Sequence, residues 1–360
     1  MNQKIRQLIS GVFVFAAIGF GLCFVAVWAP RNSQAAQVPA CPDVSKGETA
    51  EDCPWADVAR SLVEVADAGG HLGQRLDELL PTFMEQIKSA SSQPEFKAAW
   101  GQSINFDEGV KATVVDPRIL DVLIERFGVQ KRNNLYMHAG TEHVFGYLFS
   151  NLKTPYGYKR ARWVKDEIEK GFALPKGTLA PLPSDGNFFS NITFLASKIA
   201  FRNEPKSLTE ISKGQSVAEA LKIFDFKRLQ ITRLQETIRM ANPKRTVVIR
   251  TDFVPFFTAP MDSAANAQLL IYSILDSQNK GPQLISAFPV AAGFVTGATK
   301  PETLGFNQPI ITRYNAFVAG ITGTSFQGSR EVHYETIIGD ESETSTLKAA
   351  LRNTPSKRAK

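Results

Sequence analysis

The chain has 360 residues, 43% of them apolar with 25 phenylalanines, enough to bury a sizeable core, which excludes wholesale disorder. Its net charge of +6 is modest and spread along the chain, so charge alone does not argue for a polyanionic partner. Three cysteines and four histidines leave few positions for thiol or imidazole chemistry.

Lys4 and Arg6 precede an uncharged apolar run over 8–29. A basic stretch ahead of an apolar run is the plan of an export signal. This run exceeds the roughly 7–15 residues of a signal core and matches the ~20 that span a bilayer. Ser33 with Ala35, or Val38 with Ala40, offers a cleavage position. Residues 1–36 therefore read as a cleaved signal peptide or a single transmembrane anchor, and both export the rest of the chain. The expected location is the bacterial periplasm or cell envelope, with the inner membrane as partner through the apolar run and no nucleic acid. Cys23 lies inside that run. Cys41 and Cys53 remain as an even pair in an oxidising compartment, which predicts a disulfide. Closing so short a loop contributes ~3 kcal/mol in the chain-entropy model and would pin the linker over 37–54 to the first helix.

From 55 to 97 the apolar spacing is helical: Val58, Leu62, Val65 and Ala66, then Leu72, Leu76, Leu79, Leu80, Phe83 and Ile87 beyond Gly69-Gly70. Pro117 opens a helix that runs to Gly128. Shorter helices are expected over 144–152 and 158–170, a loop over 171–187, and a helix over 188–202. A long helix is read over 216–240, with Val217, Leu221, Phe224, Ile231, Leu234 and Ile238 as its stripe and Lys222, Lys227, Arg228, Arg233 and Arg239 on other faces. After Asn242-Pro243, "RTVVIRTDFVPFF", "PQLISAFPVAAGFV", "PIITRYNAFVAGIT" and "REVHYETIIG" are β-branched and aromatic runs bounded by Gly and Pro, hence strands. One helix over 263–275, capped by Asp262 or Ser263, interrupts them. The polar stretch over 340–360 reads as a disordered tail. The fold class is α+β: one domain over 55–339, helical over 55–242 and strand-rich over 243–339, with the helix-rich half packed on a mostly antiparallel sheet.

"HAGTEH" holds His138 and His143 with Glu142 between. Zinc-binding helices set two histidines four apart so that both project from one face. Here they are five apart, about 140° out of line at 3.6 residues per turn, and Gly140 disfavours a continuous helix. The segment reads as a loop entering a helix, Thr141 capping and Glu142 facing the first-turn dipole, so no metal is expected. In "REVHYET", Glu331, His333 and Glu335 alternate onto one face of a strand, where two carboxylates flank an imidazole. Serine chemistry finds weaker footing. "GTSFQG" over 323–328 carries one residue too many for a GxSxG elbow, and Ser150 with Lys153 has SxxK spacing at the end of an expected helix rather than its start. "TPYGYKRARW" is the densest aromatic and basic segment. Its Tyr156, Tyr158, Lys159, Arg160 and Arg162 suit an anionic or sugar ligand, with Arg313 and Asn315 in "TRYNAF" beside them.

No motif fixes a reaction or a cofactor. The sequence supports an exported envelope protein that binds a ligand or partner. The alternative is an exported hydrolase-like enzyme using His138, Glu142, His143 and His333. That alternative requires the fold to bring the segment 138–162 over the strand face that carries His333.

Overall fold

Proline and glycine decide where the helical half breaks. The computed structural model describes residues 53–107, 110–129, 136–138, 144–154, 157–160, 167–179, 188–202, 219–241, 244–257, 268–278, 281–290 and 328–339, all within the unit Ala36–Lys360. Helix α1 (Cys53–Asp67) runs into Gly69, whose φ of 70° closes the turn. Helices α2 (Leu72–Leu79), α3 (Pro81–Ser91) and α4 (Pro94–Ala99) follow, the last two opened by the prolines of their first turns. A proline there loses no helical hydrogen bond. Helix α5 (Pro117–Arg126) is capped by Asp116, whose carboxylate accepts from the Arg118 amide at 2.9 Å.

These helices bury one stripe each against an aromatic core. Trp55 meets Phe83 edge to face at 5.1 Å, Phe83 meets Phe145 at 5.2 Å, and Phe145 meets Phe188 and Phe189 at 5.6 and 5.2 Å. Phe145 belongs to the single turn α6 (Val144–Gly146), which passes into a 3-10 turn at Tyr147–Phe149. The helix expected over 144–152 is thus shorter and ends at Ser150. Two small antiparallel pairs flank it: β1 (Gln102–Ile104) with β2 (Tyr136–His138), which α5 separates along the chain, and the hairpin of β3 (Lys153–Thr154) with β4 (Gly157–Tyr158). The second occupies the start of a helix expected over 158–170. Tyr158 lies in strand β4, and the described helix there is α7 (Glu167–Phe172).

Helix α8 (Phe188–Ala200) is buried almost all round and packs against the large sheet. A short helix α9 (Glu219–Lys222) leads to a 3-10 turn at Phe226–Arg228, capped by Asp225. The sheet comprises β5 (Gln230–Met240), β6 (Arg245–Pro255), β7 (Gln268–Asp276), β8 (Gln283–Val290) and β9 (Gly328–Ile338). All neighbours are antiparallel, in the order β8-β7-β6-β5-β9, so four strands form a meander and the fifth returns beside the first. The α+β architecture is as expected, with helices in the N-terminal half and the sheet in the C-terminal half.

Two helices expected from spacing are strands. The first is 216–240, where β5 occupies 230–240 and moves the strand-rich part upstream of 243. Being central, β5 is buried on both faces, so Ile231, Leu234 and Ile238 can all be inside although their parity differs. That burial mimics the three-and-four spacing of a helix, and pairing on both edges overrides the helix propensity of Gln235, Glu236 and Met240. The second is 263–275, where β7 takes 268–276. Leu269, Leu270, Ile271, Tyr272 and Ile274 form a continuous buried run, for which periodicity does not separate a core strand from a buried helix.

Two glycines carry tests of this packing. A Cβ on Gly171 would lie 2.2 Å from the ring of Phe256, and one on Gly339, at φ 55°, would lie 2.7 Å from the carbonyl oxygen of Lys227. Gly171→Ala and Gly339→Ala are each expected to cost about 1–3 kcal/mol in urea unfolding. Wild-type midpoints for both would contradict the docking of α7 and the exit from β9.

Candidate functional site

On an antiparallel sheet directly opposed residues share a face, so the register sorts polar side chains into rows. One face carries three. The first runs Glu335–Arg233–Asp252–Ile271 from β9 to β7, the second His333–Gln235–Arg250–Ser273, and the third Glu331–Thr237–Val248–Leu275.

The first row is closed by α8. Arg233 forms a fork with Asp252, Nε to Oδ1 at 2.7 Å and Nη2 to Oδ2 at 3.0 Å, with both residues buried. The same Nη2 donates to the carbonyl of Ala200 at 3.1 Å and, at the limit, of Ile199 at 3.4 Å. These are last-turn carbonyls that α8 itself leaves without a partner. Arg202 donates to the carbonyl of Gly339, tying the exit of α8 to the exit of β9.

Away from α8 the face opens. Arg239 is 56% exposed and Glu331 46%; Arg239 Nη1 donates to Glu331 Oε2 at 3.1 Å, and the other carboxylate oxygen of Glu331 lies 3.0 Å from His333 Nε2. Arg250 Nε donates to Gln235 Oε1 at 2.8 Å in the adjoining row. The Arg239 hydrogen bond and the charge of His333 hold the Glu331 carboxyl below the ordinary glutamate value of 4.5. This surface offers guanidinium, imidazole, amide and carboxylate groups together, which is chemistry for recognising a polar chain. Among the described residues no nucleophile stands beside His333 in its row. Ser273 is the serine of the histidine row, but it stands three strand spacings, roughly 14 Å, from His333.

The other expected site residues divide. His138 lies in β2 opposite Gln102, beside Gly101, whose amide donates to Leu284 of β8 at 2.6 Å. His333 is on β9 at the other edge of the sheet, about 19 Å away over four strand spacings. The fold does not bring these two histidines together. Glu142, His143, Tyr156, Arg162, Arg313, Asn315 and Cys41 lie outside the described residues, as does the expected cap Thr141. Cys53 is buried at the start of α1.

Tyr158, Lys159 and Arg160 are buried and serve the fold. Lys159 Nζ pairs with Asp107 at 2.6 Å, both side chains nearly covered, and sits 5.5 Å above the Tyr147 ring. Arg160 is fully buried; it donates to the Ser150 carbonyl at 2.6 Å and stacks on Tyr158 at 4.2 Å. The bases read as ligand groups, Lys159 and Arg160, are therefore inside, Lys159 held by the Asp107 carboxylate and Arg160 by the carbonyl of Ser150. Ser150 is equally committed: its hydroxyl donates to the Val114 carbonyl and accepts from the Leu152 amide at 3.1 Å. Among the described residues no three His, Cys, Asp or Glu side chains gather as metal ligands, and no helix is long and apolar enough to cross a membrane. No family model, curated protein or solved structure matches the chain.

Two outcomes follow. Asp107→Ala leaves Lys159 buried without its carboxylate and is expected to cost about 3–5 kcal/mol, while Asp107→Leu with Lys159→Met costs clearly less; equal losses would argue against a buried pair. The second concerns acid. A carboxyl lowered in the folded state stabilises the fold above the ordinary glutamate value, and that contribution is lost as pH falls through the lowered value. NMR titration should therefore place the Glu331 midpoint below 4.5, and Arg239→Ala should raise it; a midpoint that Arg239→Ala does not move would dissolve the row.

Proposed function

We propose that this chain is exported and that the open polar end of its sheet binds a ligand or partner in the cell envelope. Lys4 and Arg6 ahead of the apolar run over 8–29 support export, by a cleaved signal or a retained anchor. The observation that carries the binding reading is the exposed Arg239–Glu331–His333 cluster, which spans neighbouring rows on the part of the sheet that α8 leaves uncovered. Polar groups already ordered by one another lose little freedom when a partner joins them. A disulfide between Cys41 and Cys53 belongs to the same proposal, because an oxidising compartment would staple the linker to α1. For the hydrolase-like alternative, which draws on His138, Glu142, His143 and His333, the two described histidines are separated by the sheet order.

Alkaline phosphatase fused after residue 40 is expected to be active, since it folds only outside the cytoplasm, and an inactive fusion would remove export. For the surface, Arg239→Ala, Glu331→Ala and His333→Ala should keep the wild-type unfolding midpoint yet fail to complement a deletion strain. Full complementation by all three would remove the binding reading.

A further inference from the structure

Strands β8 and β9 stand at opposite edges of the sheet and run in the same direction, because each strand in the order β8-β7-β6-β5-β9 is antiparallel to its neighbour. The chain leaves β8 at Val290, beside Gln268, and enters β9 at Gly328, beside Met240, at the other end of the strands. The connection over 291–327 therefore has to span four strand spacings and the length of β9, roughly 40 Å in all. About a dozen extended residues cover that distance, so most of the connection is available to cover a face. Its charged residues are Lys300, Glu302 and Arg313, and it is rich in apolar ones such as Phe294, Phe306, Ile310 and Phe317, a composition suited to an interior layer.

Backbone hydrogen bonds decide which face. The Gly339 amide donates to the Leu229 carbonyl at 2.8 Å, so on β5 the carbonyls of that parity, Arg233 among them, point to β9. The Ser277 amide donates to the Thr246 carbonyl at 2.9 Å, so on β6 those of that parity, Arg250 among them, point to β7. An L-residue on an upward strand, its side chain toward the viewer, points its amide and carbonyl to the right. Viewed from the Arg233 face with β8 and β9 running upward, the strands therefore stand β9-β5-β6-β7-β8 from left to right. A passage from β8 to β9 over that face would be left-handed, whereas over the opposite face it is right-handed, the hand of about 98% of such crossovers. Helix α8 already occupies the Arg233 face, through the carbonyls that meet the Arg233 guanidinium. The opposite face carries Leu234, Ile249, Phe253, Tyr272 and Phe288, all buried.

We propose that the segment 291–327 crosses the Leu234 and Tyr272 face and is the layer that buries it. Arg313 and Asn315, expected beside the ligand, then lie across the sheet from the Arg239–Glu331–His333 cluster and take no part in recognition there, a consequence that rests on the binding reading above. The test places p-benzoylphenylalanine at Tyr272 or at Phe288 in the full chain in detergent, two aromatic positions on that face. After irradiation and digestion, mass spectrometry should find the adducts within 291–327, and the same group at Val248, on the Arg233 face, should give none there. Adducts of the two aromatic positions confined to other segments, or a Val248 adduct within 291–327, would overturn the proposal. Asn315→Ala should complement a deletion strain as the wild type does, and lost complementation at an unchanged unfolding midpoint would return Asn315 to the recognition surface. The expected adducts with full complementation by the Arg239, Glu331 and His333 variants would remove the binding reading and leave the crossover standing.

Discussion

The fork between Arg233 and Asp252 is the joint on which the rest of the structure turns. One guanidinium satisfies a carboxylate on the neighbouring strand and last-turn carbonyls of α8. It therefore fixes the helix against β5 and β6 at a set height along the strands. A buried charge pair of this kind need not add net stability, because desolvation offsets much of the attraction. Its consequence is geometric: a shift of α8 by one turn would break the hydrogen bonds from Arg233 Nη2 and leave the last-turn carbonyls of the helix unsatisfied in the dry interior.

From that joint the two halves organise differently. Upstream, Trp55, Phe83, Phe145, Phe188 and Phe189 stack into a core that needs only shape and apolar area. Around it, buried polar groups hold segments that are not helical. Asn105 makes both hydrogen bonds of its amide with Val115, and Glu169 accepts from the amides of Gly177 and Leu179, each at 3.1 Å. Lys159 and Arg160 belong to this group. Lys159 is paired by Asp107 and Arg160 by the Ser150 carbonyl, so Tyr158, Lys159 and Arg160 of the most ligand-like segment serve the scaffold.

Downstream, the sheet is covered near α8 and open toward Arg239. Burial of the Arg233 row and exposure of the Glu331 row are two ends of one face, a few residues apart along the same strands. The open end keeps its polar groups ordered by mutual hydrogen bonds and ion pairs.

Residue order alone determined the α+β class, the helix break at Gly69, the helix start at Pro117, the strands β6, β8 and β9, and the shared face of Glu331, His333 and Glu335. Each depends on backbone chemistry within a few residues or on the two-residue period of a strand. Tertiary structure decided the rest. β5 and β7 are strands because neighbours pair with both of their edges and both faces are buried, which erases the alternation that marks a strand. Arg233 and Arg160 are interior because their acceptors, Asp252 and the carbonyls of α8 and Ser150, come from other parts of the chain. His138 and His333 part company because strand order, which no local pattern encodes, sets the small β1–β2 pair beside β8 and puts β9 at the other edge of the large sheet.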